Sequence, residues 1–178
     1  VRMKVKFVRH GETDLNKPIG KMQGISDYDL NENGIRQAKF TRDKLANEEF
    51  DIIISSPLKR AKHTAEIINI NNKRIISDDR LREGEPGNLE GQSMEVTDRD
   101  EYWNFYTNIK YGTEERIPEL FHRVKEFLDD LKKQGYNSVL IVAHSGVSKA
   151  FSAYFEGIGD GLFLNRGLKN CEIKEYEL

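Results

Sequence analysis

The stretch Lys4-Val5-Lys6-Phe7-Val8-Arg9-His10-Gly11-Glu12 decides the fold of this chain and carries its most informative chemistry. Its apolar residues first alternate with lysines and then follow one another directly, as in a strand that becomes buried on both faces. The strand stops at Arg9-His10-Gly11, so an imidazole stands beside a guanidinium at a strand end. A guanidinium matches phosphate oxygens bidentately, and a neutral imidazole nitrogen can attack phosphorus. The stretch therefore predicts a nucleophile next to a phosphate-binding cation.

A second apolar run ends in a turn that leads into a helix. Residues 50–54 have the pattern of a short buried strand, and Ser56 and Pro57 follow it. We expect Ser56 to be the N-cap and Pro57 the first residue of this helix, because both residue types favour those positions. Arg60 is then predicted to lie in the first turn, just beyond a strand end.

A third apolar run, residues 138–143, is the clearest buried strand of the chain and leads directly into His144. The carboxyl ends of parallel strands lie at one edge of a sheet, where ligands bind in doubly wound α/β folds. His10, Arg60 and His144 are therefore predicted to meet at that edge, although they are far apart along the chain.

The remaining segments alternate between strand-like and helix-like patterns, which indicates the α/β class. We expect a three-layer α/β/α sandwich with a mostly parallel central sheet. Other expected elements are a helix capped by Asn31, a helix from Pro118 to near Gly135, a helix over residues 147–155, and strands at 74–76 and 171–176.

Composition limits the function classes. A chain of 178 residues fits a single domain, predicted here over 1–178, and a formal net charge of −2 argues against nucleic-acid binding. The single cysteine, Cys171, excludes an internal disulfide and fits a reducing compartment. No apolar run is long enough to span a membrane, so we expect a cytoplasmic protein without membrane partners. The oligomeric state stays open.

The segment 92–117 is expected to form a small lid-like insertion. It contains six acidic residues against Arg99, Lys110 and Arg116, together with a cluster of aromatic residues. An acidic segment over a phosphate pocket would repel a substrate with a second anionic group. It would favour substrates with an uncharged or aromatic leaving group.

The chain closely resembles the histidine phosphatase superfamily, which includes the cofactor-dependent phosphoglycerate mutases, and it resembles the phosphatase branch in particular. Five blocks in the family's order carry this resemblance: Arg9-His10-Gly11-Glu12-Thr13 with Asn16, Gln23-Gly24 with Gly34 and Gln37-Ala38, Ser55-Ser56-Pro57-Leu58-Lys59-Arg60-Ala61 with Thr64-Ala65, Leu81-Arg82-Glu83 with Glu90-Gly91, and Ala143-His144-Ser145-Gly146-Val147.

The resemblance implies a role for each matching residue. His10 would become phosphohistidine, and Glu83 would protonate the leaving oxygen, with Glu85 as the alternative acid. His144 would act in catalysis and join the phosphate-binding residues Arg9, Arg60 and Asn16. Weaker substrate-binding candidates are Gln23, Gly24 and Ser145. Of the two histidines, His10 should be neutral, and His144 should be charged because a bound phosphate raises its pKa.

The function expected is metal-independent hydrolysis of small-molecule phosphate monoesters through a phosphohistidine, with a small phosphorylated metabolite as partner and no cofactor. No cluster with metal-ligand spacing accompanies the motifs. The alternatives are a cofactor-dependent phosphoglycerate mutase, a phosphoprotein phosphatase and a non-catalytic phospho-ligand binder. The short chain and the acidic segment 92–117 argue against a mutase.

Overall fold

A five-stranded sheet forms the centre of the computed structural model, which describes residues 2–16, 20–107 and 109–178. The strands are β1 (Lys4–Arg9), β2 (Ile52–Ser55), β3 (Ile75–Ser77), β4 (Ser138–Ala143) and β5 (Ile173–Glu177). Their order in the sheet is β3-β2-β4-β1-β5, and every pairing is parallel except that of β5 with β1. The prediction of a mostly parallel central sheet is confirmed.

Helices cover both faces of this sheet. They are α1 (Glu32–Lys44), α2 (Lys59–Ile68), the short α3 (Arg99–Tyr102), α4 (Ile117–Leu131) and α5 (Ser145–Glu156). Helices α4 and α5 bury their apolar stripes against the larger core, whereas α2 and the end of α1 pack on the opposite face. The three-layer arrangement follows from strands that are apolar on both faces.

The strand register brings distant residues together at the carboxyl edge. Arg9 pairs with Ala143 across β1 and β4, and the His10 N–H donates to the Ala143 carbonyl at 2.9 Å. On the other side of β4, the Ser56 N–H donates to the Val142 carbonyl at 2.9 Å. The residues that follow β1, β2 and β4 therefore lie side by side.

The predicted start of α2 is wrong. The helix begins at Lys59 with Leu58 as its N-cap, and no side chain caps it, so Ser56 and Pro57 lie ahead of the helix. The Ser56 hydroxyl lies 2.8 Å from a ring nitrogen of His144, which is a tertiary contact that local sequence does not reveal. Arg60 nevertheless lies in the first turn, as expected.

Cys171 lies in a turn and not in the last strand, which starts at Ile173. Its backbone has a φ of 58°, and its N–H donates to the Arg9 carbonyl at 2.8 Å. Burial raises the pKa of the Cys171 thiol to about 12, so this thiol is unreactive at neutral pH. Through this hydrogen bond the turn supports Arg9, the residue that precedes the predicted nucleophile His10.

The other predicted elements are present with small shifts at their ends. Asn31 caps α1 as expected, because its side chain accepts the Gly34 N–H at 2.9 Å. Pro118 lies in the first turn of α4, as expected. The helix ends at Leu131, earlier than predicted, and the residues that follow it form tight turns. The strand predicted at 74–76 begins one residue later.

The segment 92–117 contains α3 and a bridge from Asn104 to Leu162, and its residue 108 lies outside the described part of the chain. Whether it acts as a lid stays a prediction. Among the described residues, no helix is long and apolar enough to cross a membrane.

Gly11 and Gly34 let α1 approach the loop that follows β1. A Cβ on Gly11 would lie 2.6 Å from the Gly34 carbonyl oxygen, and a Cβ on Gly34 would collide with the Glu12 backbone. Only glycine fits at such a close approach of two backbones. The start of α1 therefore braces the residues next to His10.

We expect Phe151→Ala to lower the free energy of unfolding by about 3–5 kcal/mol, because it deletes a large ring from a packed core. Phe151 is fully buried on α5 and its ring centroid lies 4.7 Å from that of Phe7. Urea unfolding of both proteins measures the loss. As a control, Phe40→Ala should cost less than about 1 kcal/mol, since Phe40 is 65% exposed and contacts Lys44. Similar losses for the two variants would contradict this account of the core.

Candidate active site

A cavity of about 340 Å³ opens at the carboxyl edge of the sheet. Six of the predicted site residues line it: Arg9, His10, Asn16, Gln23, Glu83 and Ser145. Three others do not, since Arg60 and His144 are fully buried behind the cavity and Gly24 lies in the loop that holds Arg60. The structure thus brings the predicted residues to one place in two layers.

The tautomer of His10 is fixed by its neighbour. Its Nδ1 lies 2.6 Å from the Gly11 carbonyl oxygen, which can only accept, so Nδ1 carries the proton. The Nε2 lone pair is therefore free to act as a nucleophile. Burial, together with Arg60 and Arg9, lowers the pKa of His10 well below its ordinary value. The ring is neutral at neutral pH, as attack requires.

His144 is held by a hydroxyl group. Its Nε2 lies 2.8 Å from Ser56 Oγ, and this oxygen also accepts the Leu58 N–H at 3.3 Å. The Ser56 hydroxyl proton has no other acceptor among the described residues, so we assign it to Nε2 and place the proton of His144 on Nδ1. The rings of His144 and His10 are 5.1 Å apart.

Burial and neighbouring cations decide the direction in which the pKa of His144 shifts. Burial is the largest cause, and Arg60, His10 and Arg9 add to it, so the pKa of His144 lies well below its ordinary value. His144 is therefore neutral among these protein groups. The expectation that it becomes charged next to a phosphate group, which would raise its pKa, stays a prediction.

Arg60 is positioned by backbone carbonyls of one loop. Its two terminal nitrogens donate to the carbonyls of Ser26 and Gly24 at 2.7 and 2.6 Å. Burial lowers the pKa of Arg60 to about 10, which still leaves it charged at neutral pH. Gly24 therefore supports a cation, since its N–H and its carbonyl are both used within the protein.

The residue that holds this loop is Glu90, whose role the sequence did not reveal. Its carboxylate accepts the Gly24 N–H at 2.6 Å and the Ser26 N–H and hydroxyl at 2.6 and 2.7 Å. Glu90 thus fixes the two carbonyls that position Arg60. In the sequence, Glu90 was recognised only as one residue of a family motif, among several other acidic residues.

Four buried side-chain nitrogens have no hydrogen-bond partner within the described residues. They are Arg9 Nε, Gln23 Nε2, Arg60 Nε and His144 Nδ1. All four belong to predicted site residues, and all four carry protons. Because an unsatisfied buried donor costs about 1–3 kcal/mol, such a group of donors indicates a ligand with several acceptor oxygens. A phosphoryl group has that chemistry.

Glu83 presents a carboxylate to the cavity. One of its oxygens accepts the Gly84 N–H at 2.8 Å, and the other accepts the Gly146 N–H at 3.0 Å, in the first turn of α5. The alternative acid, Glu85, is exposed and does not line the cavity. The geometry thus favours Glu83 over Glu85 as the group that can reach a ligand.

Asn16 and Gln23 belong to one small network around Thr13. The Oδ1 of Asn16 accepts the Thr13 N–H at 2.8 Å, and the Oε1 of Gln23 accepts the Thr13 hydroxyl at 2.9 Å. With both oxygens occupied, each side chain can offer only its amide nitrogen to a ligand. Ser145 lines the cavity as the first residue of α5.

The acidic-lid interpretation of 92–117 is wrong for the cavity wall. The members of this segment that line the cavity are Met94, Arg99, Tyr102 and Trp103, so none of its acids does. The prediction used the number of charges in the segment, but side-chain direction decides which of them face a ligand.

Lys149 of α5 also lines the cavity, although it was not among the predicted site residues. Its position four residues after Ser145, on the same face of the helix, was the available signal.

Within the described ranges, no group of three or more His, Cys, Asp or Glu side chains is arranged to hold a metal ion. The charged residues that line the cavity are Arg9, Lys21, Arg99 and Lys149 against Glu83. A strongly cationic pocket thus lies in a chain of formal net charge −2.

Comparison with known proteins identifies the family. A family model described as histidine phosphatase superfamily (branch 1) matches residues 5–178. This chain belongs to that superfamily. The resemblance found in the sequence motifs is confirmed over nearly the whole length.

Several similar proteins are named as phosphatases. Others are named for the alternative activity, such as a probable phosphoglycerate mutase, GpmB of Yersinia pestis, which is 32% identical over 98% of this chain and 85% of its own length. Phosphoserine phosphatase 1 of Hydrogenobacter thermophilus is 32% identical over 95% of this chain and 83% of its own length. An uncharacterized phosphatase, PhoE of Bacillus subtilis, is 37% identical over 97% and 87%. A phosphoserine phosphatase from Entamoeba histolytica, solved in complex with 3-phosphoglyceric acid, matches with a TM-score of 0.83 at 27% identity over 97% and 89%. The chain is a phosphoric monoester hydrolase.

We expect Glu90→Gln to lower both stability and kcat/KM of this histidine phosphatase. An amide cannot accept all the bonds that the carboxylate accepts, and a hydrogen bond to a charged group contributes about 1.5–3 kcal/mol. Thermal unfolding and phosphate release measure the two losses. Glu85→Gln, five residues earlier and exposed, is the matched control and should change neither. Unchanged activity in Glu90→Gln would show that Arg60 does not depend on this loop.

Proposed function

We propose that this phosphatase works without a metal ion through a phosphohistidine on His10. The observation that carries the proposal is the set of four unpartnered nitrogens on Arg9, Gln23, Arg60 and His144 beside a histidine whose Nε2 is free. These donors suit the three equatorial oxygens of a transferring phosphoryl group. The guanidinium groups of Arg9 and Arg60 supply the positive charge that a metal ion supplies in other phosphatases.

The first step forms the bond between His10 Nε2 and phosphorus and breaks the bond to the leaving oxygen. Arg60 and Arg9 keep the ring neutral before attack, because they oppose its protonation. The same cations stabilise the charge that develops on the phosphoryl oxygens. One electrostatic arrangement therefore prepares the nucleophile and favours the transition state.

Glu83 is assigned both proton transfers. Its carboxylic acid gives a proton to the departing alkoxide in the first step. In the second step the resulting carboxylate takes a proton from water, which attacks phosphorus and breaks the bond to His10. Phosphate leaves, and His10 and Glu83 return to their starting states. The N–H groups of Gly84 and Gly146 hold the carboxylate at the cavity wall throughout.

The acids of 92–117 do not face the cavity, so they no longer argue against the phosphoglycerate mutase alternative. The named phosphatase relatives nevertheless support hydrolysis. A mutase must return the phosphoryl group to its product before water attacks. Release of inorganic phosphate without interconversion of phosphoglycerates is therefore the outcome expected here.

Rapid quench of the enzyme with a labelled substrate should trap a phosphohistidine on His10 that is labile in acid and stable in alkali. The label should form equally in the presence of a chelator, because side chains supply the positive charge. It should be absent in His10→Ala and retained in His63→Ala, since His63 pairs with Asp29 at the surface. A label on the His10 variant, or a label that requires a divalent cation, would overturn the proposal.

For Glu83→Gln we expect turnover of alkyl phosphates to fall by about 10²–10⁴-fold, which is the usual contribution of a general acid. Turnover of a nitrophenyl phosphate should fall far less in the first step, because a phenolate leaves without a proton. Burst kinetics separate phosphorylation from hydrolysis of the intermediate. Equal losses in the phosphorylation rate for both esters would assign the acid to another residue.

A further inference from the structure

Lys149 is a buried cation that the phosphohistidine chemistry does not use. It is only 4% exposed, and its Nζ lies 3.3 Å from the ring centroid of Trp103. In the described part of the chain, no carboxylate forms an ion pair with it. A buried lysine without an ionic partner is costly, because burial removes solvation that only an anion fully replaces. The ring face compensates for part of that cost.

Arg99 is a second cation on the same wall, brought there by the short helix α3. Its side chain is half-buried and lines the cavity, and it has no ion pair with a described residue. Arg99 is close enough to Lys149 to contribute to lowering the pKa of that lysine. Two unpaired cations therefore lie near each other in one cavity, in addition to those that face the phosphoryl group.

The electrostatic environment of Lys149 favours binding of an anion. Burial is the largest cause that lowers the pKa of Lys149 to about 7; Arg99 and Arg9 add to it, and Glu83 opposes it. Packing alone does not require a charge here, since a methionine would cover the Trp103 ring as well. An anion bound between the two cations would raise that pKa and repay the cost of burial.

We propose that Lys149 and Arg99 form a second anion site, which binds a carboxylate on the leaving group of the substrate. The preferred substrates are then phosphate monoesters of small hydroxy acids. This inference rests on the proposed function, because it assigns the phosphoryl group to the cradle around His10 and the carboxylate to the outer wall. The cavity of about 340 Å³ holds a molecule of that size.

The test compares two esters that differ at one group. In glycerol 3-phosphate, a CH₂OH replaces the carboxylate of 3-phosphoglycerate. The unmodified enzyme should have the higher kcat/KM for 3-phosphoglycerate. Lys149→Met should lower the ratio of the two kcat/KM values by about 10- to 100-fold, as for loss of a charge-assisted bond. Arg99→Met should lower it in the same direction, and Lys149→Arg should largely retain it.

Lys132→Met is the matched control. Lys132 also lies over an aromatic ring, with its Nζ 5.4 Å from the centroid of Tyr154, but on the outer surface. This variant should leave the ratio unchanged. Thermal unfolding of all variants identifies any that fails to fold, and Arg99→Met then decides the question if Lys149→Met is the one that fails. An unchanged ratio in a folded variant at either position would overturn the proposal.

The pH dependence gives a second readout. As pH rises through about 7, Lys149 loses its proton in the free enzyme, so kcat/KM for 3-phosphoglycerate should fall relative to that for glycerol 3-phosphate. The groups that face Lys149 are Glu83, Arg99 and Arg9. The ratio of the two kcat/KM values cancels any titration that affects both substrates alike. The relative fall should vanish in Lys149→Met and move to higher pH in Lys149→Arg. A constant ratio across this range in the unmodified enzyme would contradict the assignment.

Binding distinguishes failure of this site from failure of the proposed function. Trp103 is the only tryptophan of the chain, and Lys149 lies on its ring, so its fluorescence should report occupancy of the outer wall. Titration should give tighter binding of 3-phosphoglycerate than of glycerol 3-phosphate. This preference without turnover would overturn the phosphohistidine chemistry and support the anion site. Turnover of both esters with equal affinity would support the chemistry and overturn the site.

Discussion

The parallel pairing of β1 with β4 is the constraint on which the rest of the site depends. Its register places Arg9 opposite Ala143, so the next residue on each strand is a histidine, and the two rings come within 5.1 Å. A shift of the register by one residue would turn the apolar side chains of either strand to the wrong core and separate the rings. The packing that stabilises the fold therefore also fixes the distance between His10 and His144.

The site concentrates groups that are unfavourable in isolation. Buried arginines, neutral histidines and unpartnered donors all lower the stability of the folded protein. The apolar cores on both faces of the sheet offset this cost, and the contacts of Glu90 and of the Gly11–Gly34 approach keep the groups from relaxing. The donors are thus oriented before any ligand arrives, and little reorganisation is left for the reaction itself.

What the sequence predicts here depends on how local each signal is. His10 and His144 could be predicted because each directly follows a buried strand, and the parallel sheet does the rest. The contact of the Ser56 hydroxyl with His144 could not be predicted, because the two residues follow different strands that are far apart in the sequence. Glu90 acts through a loop remote in sequence. The acids of 92–117 were predicted to face the pocket, but none of them lines it. The number of charges in a segment does not reveal which side chains face a cavity.

In the proposed function, the four unpartnered nitrogens bind a phosphoryl group through its oxygens, and those oxygens are the same in a substrate and in free phosphate. The inner cradle therefore has little means of telling one from the other. Inorganic phosphate, the product of every turnover, should compete for the site and hold the enzyme in a resting complex. Selectivity against that product must come from the part of the cavity that contacts the rest of the substrate. If both proposals hold, product inhibition and substrate preference are properties of two different layers of one pocket.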